Sequence, residues 1–145
     1  MRVVLDTDVV VAGFRSDQGA SRQLLLGALE SSFQLLVSVP LMLEYEAVLT
    51  RSEHLRAIGL SVREVNDVLD ALSAVLEPVL LRFLWRPTLK DPNDEMVLET
   101  AVNGAADRIV TFNTRHLAAA AARFGIRAER PGSVWQSIRR RNEKE

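Results

Sequence analysis

Apolar residues fall in short blocks that switch between two spacings along the 145-residue chain. Near the N-terminus, RVVLD is a short β-branched run, the pattern of a buried strand. GASRQLLLGALES carries helical spacing, with Gln18 and Ser21 near its start, and FQLLVS reads as a second strand. Pro40 suits the first turn of a helix, and PLMLEYEAVLTR follows with Leu41, Tyr45, Val48 and Leu49 apolar. SVREVNDVLDALSAVL is amphipathic, with Ser61 as cap and Glu64 three residues later, a capping box. Its stripe of Val62, Val65, Leu69 and Leu72 suits either a core or a subunit interface. PVLLRFLW is strand-like, and DPNDEMVLETAVNGA predicts a helix ended by Gly104. DRIVTF predicts another strand and TRHLAAAAARFG another helix, then IRAE an edge strand and RPGSVWQSIRRR a last helix. Strands alternating with helices predict an α/β fold with a parallel sheet of four or five strands, flanked by helices. One domain over 1–138 is expected, followed by a frayed, charged tail over 139–145.

Composition narrows the classes. Hydrophobic residues make up 48% and charged residues 26%, the balance of a globular domain. No apolar run approaches the length of a membrane helix, so no membrane contact is expected. Charge arrives too early in MRVVLDTD for a signal peptide. The chain has no cysteine, which excludes disulfides and thiolate metal sites and fits a cytoplasmic setting. Formal net charge is −1, from 18 basic and 19 acidic residues. Any contact with nucleic acid must therefore use local patches.

The candidate chemistry is acidic. RVVLD places Asp6 at the carboxyl end of a strand, where open α/β sheets bind ligands. Asp8 is the weaker candidate, since on this reading it lies in a loop and faces water. In PLMLEYEAVL, Glu44 lies three after Leu41 and four before Val48, along the apolar stripe, while Glu46 points to solvent. In KDPNDEMVLETA, Asp94 lies four before Leu98 and seven before Ala101, so it too is inward. Asp91 is either a helix N-cap or an assistant to the site. Glu95 and Glu99 read as a solvated face. Inward carboxylates repel each other, and a hard divalent cation resolves the repulsion. The acids thus point to a Mg²⁺ or Mn²⁺ phosphoryl-transfer site at the carboxyl edge of the sheet.

Taken in order, VVLDTDVVVAG, GASRQLL, PLMLEYEAVL and KDPNDEMVLETAVNGAADRIVTFNTRHL resemble the PIN-domain family, from about Met1 to Phe124. Many bacterial members are VapC-type toxins, small metal-dependent ribonucleases held in check by a cognate antitoxin. The resemblance implies a PIN-like domain over 1–138, usually dimeric, with RNA as substrate and Mg²⁺ or Mn²⁺ as cofactor. By position, Asp6, Glu44 and Asp94 match the family's acidic metal-site residues, and Asp91 sits in its DPxD-like segment. The fourth position departs: VTFNTRHL puts Asn113 where an Asp is common, and His116 where a later Asp would stand. Asn113 offers a neutral oxygen. His116 is either a Mn²⁺ ligand or structural, and Thr111 either orients a carboxylate or water or is simply a strand residue.

Arg15, Arg22 and Arg115 lie in segments expected around the site, where they would contact RNA phosphate. Arg139, Arg140 and Arg141 form a charge run, Trp85 and Trp135 read as core or interface residues, and His54 reads as surface. Two rival functions stand beside the ribonuclease. A degenerate PIN module would bind RNA or a protein partner without cleaving. DTDVV also resembles the Asp-x-Asp opening of haloacid-dehalogenase-type phosphatases. That family expects a later Lys and an acidic pair, yet Lys144 is the only lysine after Thr111 and no such pair follows.

Overall fold

The computed structural model describes residues 1–83 and 89–144. Trp85 and the end of the expected PVLLRFLW strand lie outside the described residues. The chain runs β1 (Arg2–Leu5), α1 (Thr7–Arg15), α2 (Ala20–Leu29), β2 (Gln34–Ser38), α3 (Val39–Leu49), α4 (Ser52–Ile58) and α5 (Val62–Ser73). It continues with β3 (Glu77–Val79), α6 (Pro92–Asn103), β4 (Arg108–Val110), α7 (Thr114–Ala122), β5 (Arg127–Glu129) and α8 (Pro131–Glu143). The strands form one parallel sheet of five in the order β3-β2-β1-β4-β5. Parallel neighbours need crossovers, and the helices supply them. Val3, Val4 and Leu5 of the central strand are fully buried, so this strand carries apolar residues on both faces.

Local chemistry explains the helix starts. Ser38 caps α3 by accepting from the Leu41 N–H, with Pro40 in the first turn. At α5 the Ser61 hydroxyl accepts from Glu64 N–H at 3.2 Å and the Glu64 carboxylate from Ser61 N–H at 3.2 Å, as the sequence predicts. Val65, Leu69 and Leu72 enter the core, so most of the α5 stripe is intramolecular; Val62 alone of the four is exposed.

Four expectations change. The segment after Asp6 is helix α1, so Asp8 sits in a first helical turn, exposed, and not in a loop. Its Val-Val-Val run masks the helical period, but Val9, Val10, Gly13 and Phe14 all bury against the fold. Helix α4 was not foreseen, because it has no fully buried residue to reveal it. β3 stops at Val79, and Leu80 and Phe83, apolar in sequence, are exposed. Residues 139–143, expected to fray, continue α8.

Gly104 ends α6 at φ −90°, a conformation open to any residue, so packing and not backbone freedom selects it. A Cβ there would lie 2.9 Å from Val79 Cγ2 and 3.1 Å from Leu36 Cδ1. Beside it, the Arg2 guanidinium binds the Gly104 carbonyl and the Glu77 carboxylate, which ties the amino edge of the sheet together. Gly104→Ala therefore forces α6 away from β2 and β3. It should lower stability by about 1–3 kcal/mol, read as a reduced urea midpoint at unchanged slope.

Candidate functional site

The strand order reverses between β1 and β4, and crevices open outside the carboxyl ends of strands at such a reversal. Asp6 leaves β1 there, and Thr111 leaves β4. Asp6 occupies the N-cap position of α1 but makes no side-chain cap bond, which leaves both carboxylate oxygens for distant partners. Thr111 Oγ1 donates to Asp6 Oδ2 at 2.8 Å, and Asn93 Nδ2 donates to Asp6 Oδ1 at 3.1 Å. Thr7 Oγ1 donates to Asn93 Oδ1 at 3.2 Å, and the Asn113 N–H donates to Thr111 Oγ1 at 3.0 Å. Asp6 is 2% exposed and Thr111 fully buried. Burial pushes the Asp6 carboxyl above its ordinary range, with the charge of Asp8 adding; the bonds from Thr111 and Asn93 oppose the rise. Behind it, the buried Tyr45 hydroxyl donates to the Leu5 carbonyl and is held protonated, first by burial and then by the charge of Asp6.

Helix α6 delivers the second acid. Asp91 is its N-cap, accepting from the Asn93 N–H at 2.9 Å, so the capping alternative holds for this residue. Asp94, one turn on, is 7% exposed. Its carboxyl is raised by burial first, then by the negative charges of Asp6 and Asp91, while His116 works against the rise. His116 Nδ1 lies 3.8 Å from Asp94 Oδ2, with most of its ring exposed. Asp91, Asp94 and His116 line a cavity of about 310 Å³ with Leu89 and Lys90.

The other expected residues divide. Glu44 is half-buried on α3, beyond the carboxyl end of β2 and one residue before Tyr45. Among the described residues no three His, Cys, Asp or Glu side chains gather as a metal-holding group. The structure thus brings two acids together, with Glu44 on the same edge of the sheet. Asn113 is exposed as the N-cap of α7, joined to the site through its backbone N–H. Arg15 and Arg115 are exposed, but Arg22 is committed elsewhere: it donates to the Ser16 and Phe14 carbonyls at 2.8 and 3.1 Å and so closes the end of α1. Glu95, expected in solvent, is half-buried and accepts from the Leu89 N–H. His54, expected at the surface, is half-buried, with a buried Nδ1. Trp135 packs partly buried on the core, as expected.

Sequence reasoning missed Asn93, whose only signal was its place between Asp91 and Asp94. It also missed Arg130, which stacks on Phe112 with Cζ 5.6 Å from the ring centroid.

A family model described as PIN domain matches residues 2–115, well over half the chain. No curated protein matches it.

The raised carboxyls make a prediction about stability without metal. The folded state holds its protons more tightly than the unfolded chain, so stability falls as pH rises from the ordinary carboxylate range through the raised one. Asp94→Asn removes that penalty. In chelator near neutral pH it should melt roughly 2–4 °C above wild type, the shift about 1 kcal/mol gives at this size. The gain should shrink through pH ~4 and vanish near pH ~3, below the ordinary carboxyl's own pKa, where both states hold the proton. A gain equal at both pH values would trace the effect to packing and not to charge.

Proposed function

The chain belongs to the PIN-domain family, a nuclease-type fold, and on that premise we propose that it is a Mg²⁺- or Mn²⁺-dependent endoribonuclease. The observation that carries this reading is the pair of buried, mutually repelling carboxylates, Asp6 and Asp94, at the reversal of strand order. Their chemistry fits a hard divalent cation: all-oxygen donors, negative, held above their ordinary range while no cation balances them. Asp6 and Asp94 would hold the ion, with Glu44 as third carboxylate and Asn113 as neutral ligand or water-positioning group. When bound, the ion supplies the charge that lowers the pKa of an attacking water and neutralises the scissile phosphate. The chain's own residues set the geometry. Thr111 and Asn93 fix one oxygen of Asp6 each, so the carboxylate cannot rotate. The Asn113 N–H occupies the Thr111 oxygen and leaves its single proton for Asp6. His116 brings a nitrogen to the rim beside Asp94.

Biologically, the reading is a cytoplasmic toxin of VapC type with a cognate antitoxin, acting as a homodimer. No helix among the described residues is long and apolar enough to cross a membrane. Exposed Val39, Leu43 and Leu80 support association. Val39 and Leu80 are the next residues in register after the paired Ser38 and Val79, and Leu43 stands one helical turn from Val39. The second reading, a binding module without cleavage, is favoured by the neutral Asn113 and by the lack, among the described residues, of a gathered group of three acids.

Titration of Mn²⁺ with an assay on single-stranded RNA separates the two. Thr111→Val should lower kcat/KM by about 10–100-fold, the range for groups that orient a metal-binding side chain. Asp6→Asn should lower it further, and Asn113→Asp should tighten Mn²⁺ binding. Cleavage that survives chelator would refute the mechanism, whereas metal binding without cleavage of any RNA would select the binding module. Light scattering should give the mass of a dimer; a monomer at every concentration removes that part of the reading.

A further inference from the structure

The cavity beside Asp94 is not isolated. His116 lines it and also a second cavity of about 310 Å³, shared with Asn113, Arg115, Phe112 and Arg130. Phe112 and Arg130 in turn line a third, again about 310 Å³, between α2 and α8. The three cavities adjoin through these shared residues, in a row from the acidic pair across the start of α7 to that cleft. Charge shifts along the row: Asp91 and Asp94 outnumber Lys90 at one end, and Arg115 and Arg130 stand in the middle.

Arg130 is held without being neutralised. Its Nη1 donates to the Phe112 carbonyl at 3.2 Å and its guanidinium stacks on the Phe112 ring. Among the described residues no carboxylate pairs with it, unlike Arg2 with Glu77 or Arg108 with Glu129. One of its five donors is used, and the side chain is exposed. The far cleft is walled by small residues, Gly19, Ala20 and Gly132, and a Cβ on Gly132 would meet nothing within 4 Å.

We propose that this row of cavities is the track of a single-stranded RNA, with Arg115 and Arg130 on the phosphates beside the scissile one and the α2–α8 cleft seating the adjoining base. The inference rests on the endoribonuclease reading and adds the path of the substrate. A polyanion laid against Asp91 and Asp94 needs cations where it leaves the acids, and a fixed, unpaired guanidinium supplies one. A base entering the cleft meets the Phe112 and Arg130 pair, the combination that binds single strands by stacking and charge together. Arg130 and Gly132 lie beyond residue 115, the end of the matched region, so the C-terminal segment supplies one wall of the cleft.

The test is anisotropy of a labelled, uncleavable 2′-O-methyl RNA in chelator, across a salt series, with Mn²⁺-dependent kinetics on the cleavable strand. Arg130→Ala should weaken binding about tenfold and flatten the salt dependence by about 0.7 in log–log slope, one phosphate contact to a single strand. In kinetics the loss should fall on KM and spare kcat. Gly132→Leu adds bulk at the wall of the cleft and should weaken binding about tenfold with the slope unchanged. Its melting temperature should not fall, because Leu replaces a helical Gly in open space. Arg127→Ala, at the amino end of β5 and exposed, removes an equal charge and should change neither. Wild-type cleavage with Arg130→Ala and Gly132→Leu binding normally overturns the track and leaves the nuclease standing. Equal losses in Arg127→Ala overturn it too, since bulk charge then suffices. A wild type that neither binds nor cleaves RNA overturns both.

Discussion

Both oxygens of the Asp6 carboxylate are taken by donors from other elements, Thr111 after β4 and Asn93 at the start of α6. A charge 2% exposed is costly unless bonded, and these bonds require the strand order to bring β1 and β4 side by side. The parallel register does so: Leu5 pairs with Val110, which leaves Asp6 and Thr111 as next neighbours beyond the paired ends. Burial raises the carboxyl and outweighs the donors that lower it, while those same donors hold it rigid.

Much of this was legible in the sequence, and the exceptions share a cause. Strand and helix alternation, the capping box at Ser61 and the helix ending at Gly104 are local signals, and local signals carried them. Helix α1 escaped because three successive valines hide a helical period, and α4 escaped because it buries no residue fully. Leu80 and Phe83 extended a strand on paper because apolar residues at a surface look like apolar residues in a core. In the site, Asp6 was read from the carboxyl end of its strand and Asp94 from an inward helix face, and both are buried. Asn93 was missed, since its bond to Asp6 spans 87 positions and no spacing within one helix announces it.

Arginine shows the same limit. A net charge of −1 suggests little affinity for phosphate, yet the arginines are not equivalent. Arg2 and Arg108 are spent on carboxylates at the sheet, and Arg22 on the last carbonyls of α1. Arg115 and Arg130 stay exposed along one cavity. Composition counts charges, whereas recognition depends on which of them the fold leaves unanswered.

The bond from the Tyr45 hydroxyl to the Leu5 carbonyl also has a consequence in time. It fastens α3 to the residue just before Asp6, so the backbone of Glu44, the next residue in the helix, is anchored to the strand that carries the first acid. Any approach of Glu44 to the acid pair then proceeds by rotation of its own side chain. Side-chain rotations are faster than loop and domain movements. On the proposed reading, bringing in the third carboxylate is therefore a rearrangement of one side chain and not of the backbone that carries it.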